Sequence, residues 1–188
     1  MACLLTQGFT TDCLDGIGGA KEILLANWSY FEDGIELGGT YGQIDVLPTA
    51  TIYRYVPVKN SLVFGEVPTP SQENGTLYFA QSGVFRIAGL TALKRQEFNL
   101  LAQAKVIAFI RLYTRSGADK IVVLGRQQGL YLSAGNWGSG AGLGDFSGYE
   151  FTLTADEPVP ADYLEDYTTT PFDNFPDITV SPAYNGAS

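Results

Sequence analysis

Val106-Ile107-Ala108-Phe109-Ile110-Arg111-Leu112-Tyr113, Ile121-Val122-Val123-Leu124, Gly129-Leu130-Tyr131-Leu132-Ser133 and Tyr149-Glu150-Phe151-Thr152-Leu153-Thr154 decide the fold class. All four runs lie between Lys105 and Thr154. The first two are apolar, β-branched and aromatic, and the fourth alternates apolar with polar at period two, the mark of a half-buried strand. Ser116-Gly117-Ala118-Asp119 and Arg126-Gln127-Gln128-Gly129 carry turn chemistry, because glycine supplies positive φ and Ser or Asp bonds the local backbone. Connections this short favour antiparallel neighbours. The stretch reads as a β-meander, and the chain as mainly β.

Outward from that core, Ile23-Leu24-Leu25-Ala26 and Ala50 to Val56 read as further strands. Ser61 to Phe64 is a continuation or hairpin partner of the second. Gly65-Glu66-Val67-Pro68-Thr69-Pro70-Ser71-Gln72-Glu73-Asn74-Gly75 reads as a polar loop that leaves the sheet, since proline cannot donate to a ladder. Thr76 to Ala80 and Val84 to Ala88 follow, with a break or bulge expected at Ser82-Gly83. Leu90 to Ala104 is the one helix, free of proline and glycine. Thr91 and Gly89 are the candidates to cap its start, and Leu93, Leu100, Leu101 and Ala104 form its expected apolar face.

Charge divides the chain. Residues 1–126 hold all 11 Lys and Arg and 11 acidic residues, whereas residues 127–188 hold nine acidic residues and no basic one. The net charge of −9 therefore belongs to the last third. Tight nucleic-acid binding needs cations clustered to neutralise phosphates, and none cluster here. After Glu157 the composition changes to recurring prolines and acids spaced by Tyr163, Tyr167, Phe172 and Phe175. Disordered segments are poor in aromatics, so residues 158–188 read as an extended arm that docks on its own domain (1–157) or on a neighbour. If it clasps a neighbour, truncation after Glu157 leaves a folded monomer that no longer assembles.

Histidine is absent, which removes His-dependent triads, His-ligated zinc and imidazole acid–base chemistry together. Gly138-Ser139-Gly140-Ala141-Gly142-Leu143-Gly144 lacks the spacing and the following helix of a phosphate-binding loop and reads as a flexible hairpin loop. Acidic neighbours such as Glu32 with Asp33, or Asp156 with Glu157, have no fixed separation to recommend them as a hydrolytic pair. No catalytic, cofactor or metal site is expected. Cys3 and Cys13 are expected to be free thiols. No basic, apolar leader opens the sequence and no run approaches a membrane helix.

From about Gly75 to Ala161 the chain resembles the major tail tube proteins of tailed bacteriophages. The helix at Leu90 to Ala104, the strand that follows it, and the run from Ile121 to Gly135 carry the likeness. So does Leu143-Gly144-Asp145-Phe146-Ser147-Gly148-Tyr149-Glu150-Phe151-Thr152-Leu153-Thr154 with the acidic pair after it. The opening, Ala2 to Thr6 with Gly18 to Glu22, is similar to the same group in phages of Bacteroidetes-type hosts.

The resemblance implies an antiparallel β-sandwich or β-barrel flanked by one α-helix, here with the C-terminal arm added. It implies hexameric rings stacked into a hollow tube in the virion tail, assembled in the host cytoplasm and passing DNA without tight binding. Its partners would be copies of itself and other tail and neck proteins, with no cofactor and no membrane. The loop reaching the next ring would be Gly65, Glu66, Pro68, Pro70, Gln72, Asn74 and Gly75. The aromatics of the arm, Tyr163, Tyr167, Phe172 and Phe175, would contact a neighbouring subunit. Other readings are a tail terminator, neck or head decoration protein, or a carbohydrate-binding module using Tyr53, Tyr55 and Trp137.

Overall fold

The computed structural model describes residues 8, 17–32, 35–38, 43–115 and 117–182. Cys3 and Cys13 lie outside these residues. The chain is mainly β, with strands β1 (Ala20–Asn27), β2 (Glu36–Leu37), β3 (Ile44–Val46), β4 (Ala50–Tyr55), β5 (Val63–Ser71) and β6 (Thr76–Ala88) before a single α-helix, α1 (Ala92–Leu101). After it come β7 (Val106–Leu112), β8 (Ile121–Leu124), β9 (Tyr131–Gly138), β10 (Gly148–Glu157), β11 (Asp162–Tyr163) and β12 (Ile178–Ser181).

Two sheets pack face to face. One has six strands in the order β11-β8-β7-β1-β4-β12, the other four in the order β5-β6-β10-β9. The six-stranded sheet is covered on both faces, which is why β1, β7 and β8 are continuous apolar runs rather than alternating ones. Ile23, Leu25, Ala108, Ile110, Val122 and Leu124 face the four-stranded sheet and meet Phe85, Phe151 and Leu153. Leu24, Ala26, Ile52, Ile107, Phe109 and Val123 face the other way, against Phe31, Ile44, Leu164, Tyr167, Phe172 and Phe175.

That second core makes the C-terminal arm a strap. It pairs β11 with β8 at one edge of the six-stranded sheet, crosses the outer face, and pairs β12 parallel to β4 at the other. Tyr167, Phe172 and Phe175 are buried within this chain, so they are filled positions and not free subunit contacts; only Tyr163 of the four stays exposed. Phe172 packs edge-on against Phe109 at 5.5 Å between ring centroids. Asp173 shapes the strap by accepting the backbone N–H groups of Thr168, Thr169 and Thr170.

Four other expectations are corrected. The four runs from Val106 to Thr154 are not one meander: β7 and β8 belong to the first sheet, β9 and β10 to the second. The chain crosses between sheets at Gly125–Leu130, where Gly125 and Gly129 take φ of +74° and +73°. A Cβ on Gly129 would also lie 2.8–2.9 Å from Lys105 and Trp28. The crossing is fixed by Glu157, whose buried carboxylate accepts the N–H groups of Gln127, Gln128 and Gly129.

The segment Gly65 to Gly75 does not leave the sheet. Val63–Ser71 pairs with Thr76–Val84 along its whole length, closing at Gln72–Gly75. Pro68 and Pro70 are tolerated because β5 is an edge strand. Two residues apart, they share one orientation, and their missing N–H groups fall on the unpaired side. Strand β6 likewise runs unbroken through Ser82-Gly83.

Helix α1 is shorter than Leu90 to Ala104. Thr91 caps it, accepting from the Lys94 N–H at 3.2 Å, and Gly89 turns the chain before it. Of its residues Leu101 is the one buried. Leu101 is in the core and Phe98 packs on Tyr149 and Phe151, while Leu93 and Leu100 are exposed.

Candidate assembly surface

Among the described residues, the outer face of β5-β6-β10-β9 is covered by neither the strap, the helix nor the opposing sheet. Alternation along β10 fixes it. Tyr149, Phe151, Leu153, Ala155 and Glu157 point inward and are buried, so Glu150, Thr152, Thr154 and Asp156 point outward. The register then places Arg86, Val84, Ser82 and Ala80 of β6 on the same outer face. Beyond them on β5 lie Val63, Gly65 and Val67. The face is built of small and hydroxylated residues. Arg86 is the single cation in the four strands, and its Nε pairs with Glu150 Oε2 at 2.7 Å.

The sheet ends in two unpaired edges. The β5 edge is interrupted by Pro68 and Pro70, but its first half, Val63–Val67, carries no proline. The β9 edge, Tyr-Leu-Ser-Ala-Gly-Asn-Trp-Gly, has no charge and no proline at all. Seven of its eight residues are exposed, including Tyr131 and Trp137. Natural edge strands are normally blunted by charge, proline or a cover. The edges of the six-stranded sheet are closed by the two short strap strands; β9 has no such device.

The two ends of this sheet differ. At one end the β5–β6 hairpin runs past β10, which stops pairing at Phe79, and exposes Leu77 and Tyr78, with Val67 exposed at its base. Of the residues expected to reach a neighbour, Pro70, Gln72, Asn74 and Gly75 lie in this projection and Pro68 at its base. Gly65 sits within the sheet, and Glu66 turns inward, accepting from Gln81 Nε2 at 2.9 Å and the Ala161 N–H at 2.6 Å. At the other end the β9–β10 loop carries Leu143, whose side chain is fully exposed (111%). That loop is shaped internally: Asp145 Oδ2 accepts the N–H groups of Ala141 and Gly142 at 2.9 and 2.7 Å. These bonds hold the Asp145 carboxyl below the usual range and occupy the donors a phosphate would need.

The remaining sequence candidates are not brought together. Asp156 and Glu157 point to opposite faces of β10. Asp33 lies outside the described residues. Tyr53 and Tyr55 line a groove on one side of α1 and Trp137 a groove on the other, where Arg95 stacks over it at 5.3 Å. They form no common platform. Burial, then the charge of Glu97 and the neighbouring Tyr53, pushes the Tyr55 phenol up to about 12.

Sequence reasoning missed the β9 edge and Leu143. The signal was present, since no charged residue occurs between Arg126 and Asp145. Among the described residues no helix is long and apolar enough to cross a membrane. Compared with family models, curated proteins and solved structures, the chain matches none of them.

Proposed function

We propose that this chain is the subunit of a hollow tube of stacked rings, a structural virion protein of the tail-tube kind that conducts DNA. One observation carries the reading: a four-stranded sheet with one bare face and two unpaired edges. In the order β5-β6-β10-β9 neighbouring strands are antiparallel. A second copy placed beside the first sets its β5 next to β9 in the antiparallel sense, so lateral repetition continues the meander without a break. Such a contact is heterologous, and closes into a ring when the rotation per copy divides a full turn. Six copies per ring is what the resemblance implies.

The bare face then becomes the inner wall. Its only cation is neutralised by Glu150, and Asp156 adds negative charge. A wall of net negative charge whose one cation is ion-paired offers phosphate no anchor and lets a duplex pass without adhering. The projecting β5–β6 hairpin lies at one end of the wall, where it is positioned to meet the next ring. The function is mechanical, and no chemistry is assigned to the chain.

Electron microscopy of the purified chain across a concentration series tests this. Rings or tubes with a hole wide enough for duplex DNA are expected. A chain that stays monomeric by sedimentation at millimolar concentration would count against the reading.

A further inference from the structure

Leu143 is fully exposed, yet the loop that carries it is held in shape by Asp145. A rigidly presented, fully exposed leucine on a glycine-rich loop is an anchor without a socket. An apolar groove of about 490 Å³ opens elsewhere on the same chain, lined by Tyr55, Val56, Pro57, Ile87, Leu93 and Phe98. Val56 and Leu93 on its rim are 60% and 68% exposed. Single exposed apolar residues are ordinary, but an apolar knob and an empty apolar groove of matching chemistry are not.

Topology places the two at one level on opposite flanks. Gly148 pairs with Ala88, and the Gly89 N–H bonds to the Ser147 carbonyl, so the Leu143 loop stands at the Ala88 end of the sheet on the β9 side. The groove lies at the same end on the β5 side. There Val58 continues the edge beyond Val63 by donating to the Arg86 carbonyl. When copies repeat with β9 beside β5, the loop following β9 comes alongside the Val56–Leu62 connection of its neighbour. The charges agree: the loop carries only Asp145, and the groove is rimmed by Arg54, Lys94 and Glu97.

We infer that Leu143 is the anchor of the contact between adjacent copies and seats in the neighbouring copy's groove between α1 and Val56–Val58. This rests on the lateral repeat proposed above. It adds to that reading a side-chain lock whose socket is formed partly by the helix, apart from the strand pairing.

Leu143→Ser in the full chain, followed by analytical ultracentrifugation and microscopy, tests it. Leu143 is fully exposed in the monomer, so the variant folds as the parent does. The concentration required for assembly should rise about 10- to 100-fold, the worth of one buried leucine per contact. With Cys3 and Cys13 replaced by serine, Leu143→Cys combined with Leu93→Cys should cross-link copies on oxidation into a ladder ending at the ring. A parent that assembles while Leu143→Ser assembles equally well overturns the inference and leaves the ring reading standing, as does assembly with no cross-link. A parent that never assembles overturns both.

Discussion

The Tyr167 hydroxyl accepts the Asp119 N–H at 3.2 Å, joining the strap to the turn between β7 and β8. The same oxygen accepts from Arg111 Nη2 at 3.2 Å. Arg111 in turn bonds Glu22 Oε1 at 2.9 Å and Asp119 Oδ2 at 2.8 Å. Tyr167 is thus the strap's polar link to a charge network otherwise made by the six-stranded sheet and its turn. Tyr167→Phe keeps the ring in the core but takes the acceptor from the buried Asp119 N–H and one of the contacts from Arg111, which keeps Glu22 and Asp119. A loss of about 1–3 kcal/mol follows, from the cost of an unsatisfied buried polar group. Urea unfolding should show a lower midpoint with an unchanged slope; an unchanged midpoint would mean water replaces the hydroxyl.

Removing the strap is a different matter from loosening it. Truncation after Glu157 strips Leu164, Tyr167, Phe172 and Phe175 from the second core and uncovers both edges of the six-stranded sheet. At roughly 1.5–3 kcal/mol for each large side chain, the loss is about 6–12 kcal/mol, comparable with the whole stability of a domain. The truncated chain should therefore fail to fold. This reverses the sequence-based expectation of a folded monomer that merely cannot assemble. Near-ultraviolet circular dichroism of the truncated chain decides it.

Glu157 offers a second, independent point of failure. Its carboxylate accepts the Gln127, Gln128 and Gly129 N–H groups at the crossing between sheets, where no other side chain among the described residues does so. Glu157→Ala leaves three donors to water or to nothing. With hydrogen bonds to a charged group worth about 1.5–3 kcal/mol each and not additive, a loss of about 3 kcal/mol is expected. Faster amide exchange should appear at Gln128 and Gly129 before anywhere in β7. Uniform exchange instead would show that the crossing is held by the two glycines alone.

The pH dependence has a definite sign. Burial would raise the Asp119 carboxyl, but hydrogen bonds from Lys21 and Thr114 and the charges of Arg111 and Lys21 outweigh it and hold it below the usual range. Asp173 is lowered by the N–H groups of Thr169 and Thr168. A lowered carboxyl contributes stability that is fully present above its unfolded value, near 4, and is lost as pH falls through the folded one. Asp162 is the opposite case, raised chiefly by burial against the pull of Arg126. Its contribution is present in acid and lost as pH rises through its folded value. Asp119→Asn should consequently flatten the acid limb of a stability–pH curve, and Asp162→Asn should steepen it. The same change in both variants would refute this assignment.

What the sequence made legible follows from periodicity. β1, β7 and β8 are buried on both faces, so their apolar runs are continuous and unmistakable, and β10 shows its one buried face by alternation. The second half of β9, Ala134–Gly138, is exposed and, Trp137 apart, made of small residues. Pairing with β10 holds it, and no side-chain pattern announces it. Pro68 and Pro70 look like a break unless their spacing of two is read as the outward face of an edge. The strap's aromatics follow an irregular backbone ordered by Asp173, so they have no period from which burial can be inferred. The crossing at Gly125–Leu130 is as short as a hairpin, and nothing local distinguishes the two.

If the chain forms stacked rings as proposed, the β5–β6 hairpin is the element on which ring formation and ring stacking can be tested apart. Leu77 and Tyr78 are exposed where the hairpin outruns β10, and Val67 is exposed at its base, level with Asp156; each is paired only across the hairpin, Val67 with Ala80, Pro70 with Leu77 and Thr69 with Tyr78. They contribute little to the two cores, so Val67→Thr, Leu77→Thr and Tyr78→Thr together should leave the monomer's unfolding midpoint within about 0.5 kcal/mol of the parent per site. Threonine keeps the strand propensity while removing apolar surface. If the hairpin meets the next ring, the triple variant still forms rings but no longer stacks them. Microscopy should then show isolated rings at concentrations where the parent forms tubes. Tubes of normal length would assign stacking to the opposite end of the sheet, and loss of rings would place these three residues in the lateral contact instead.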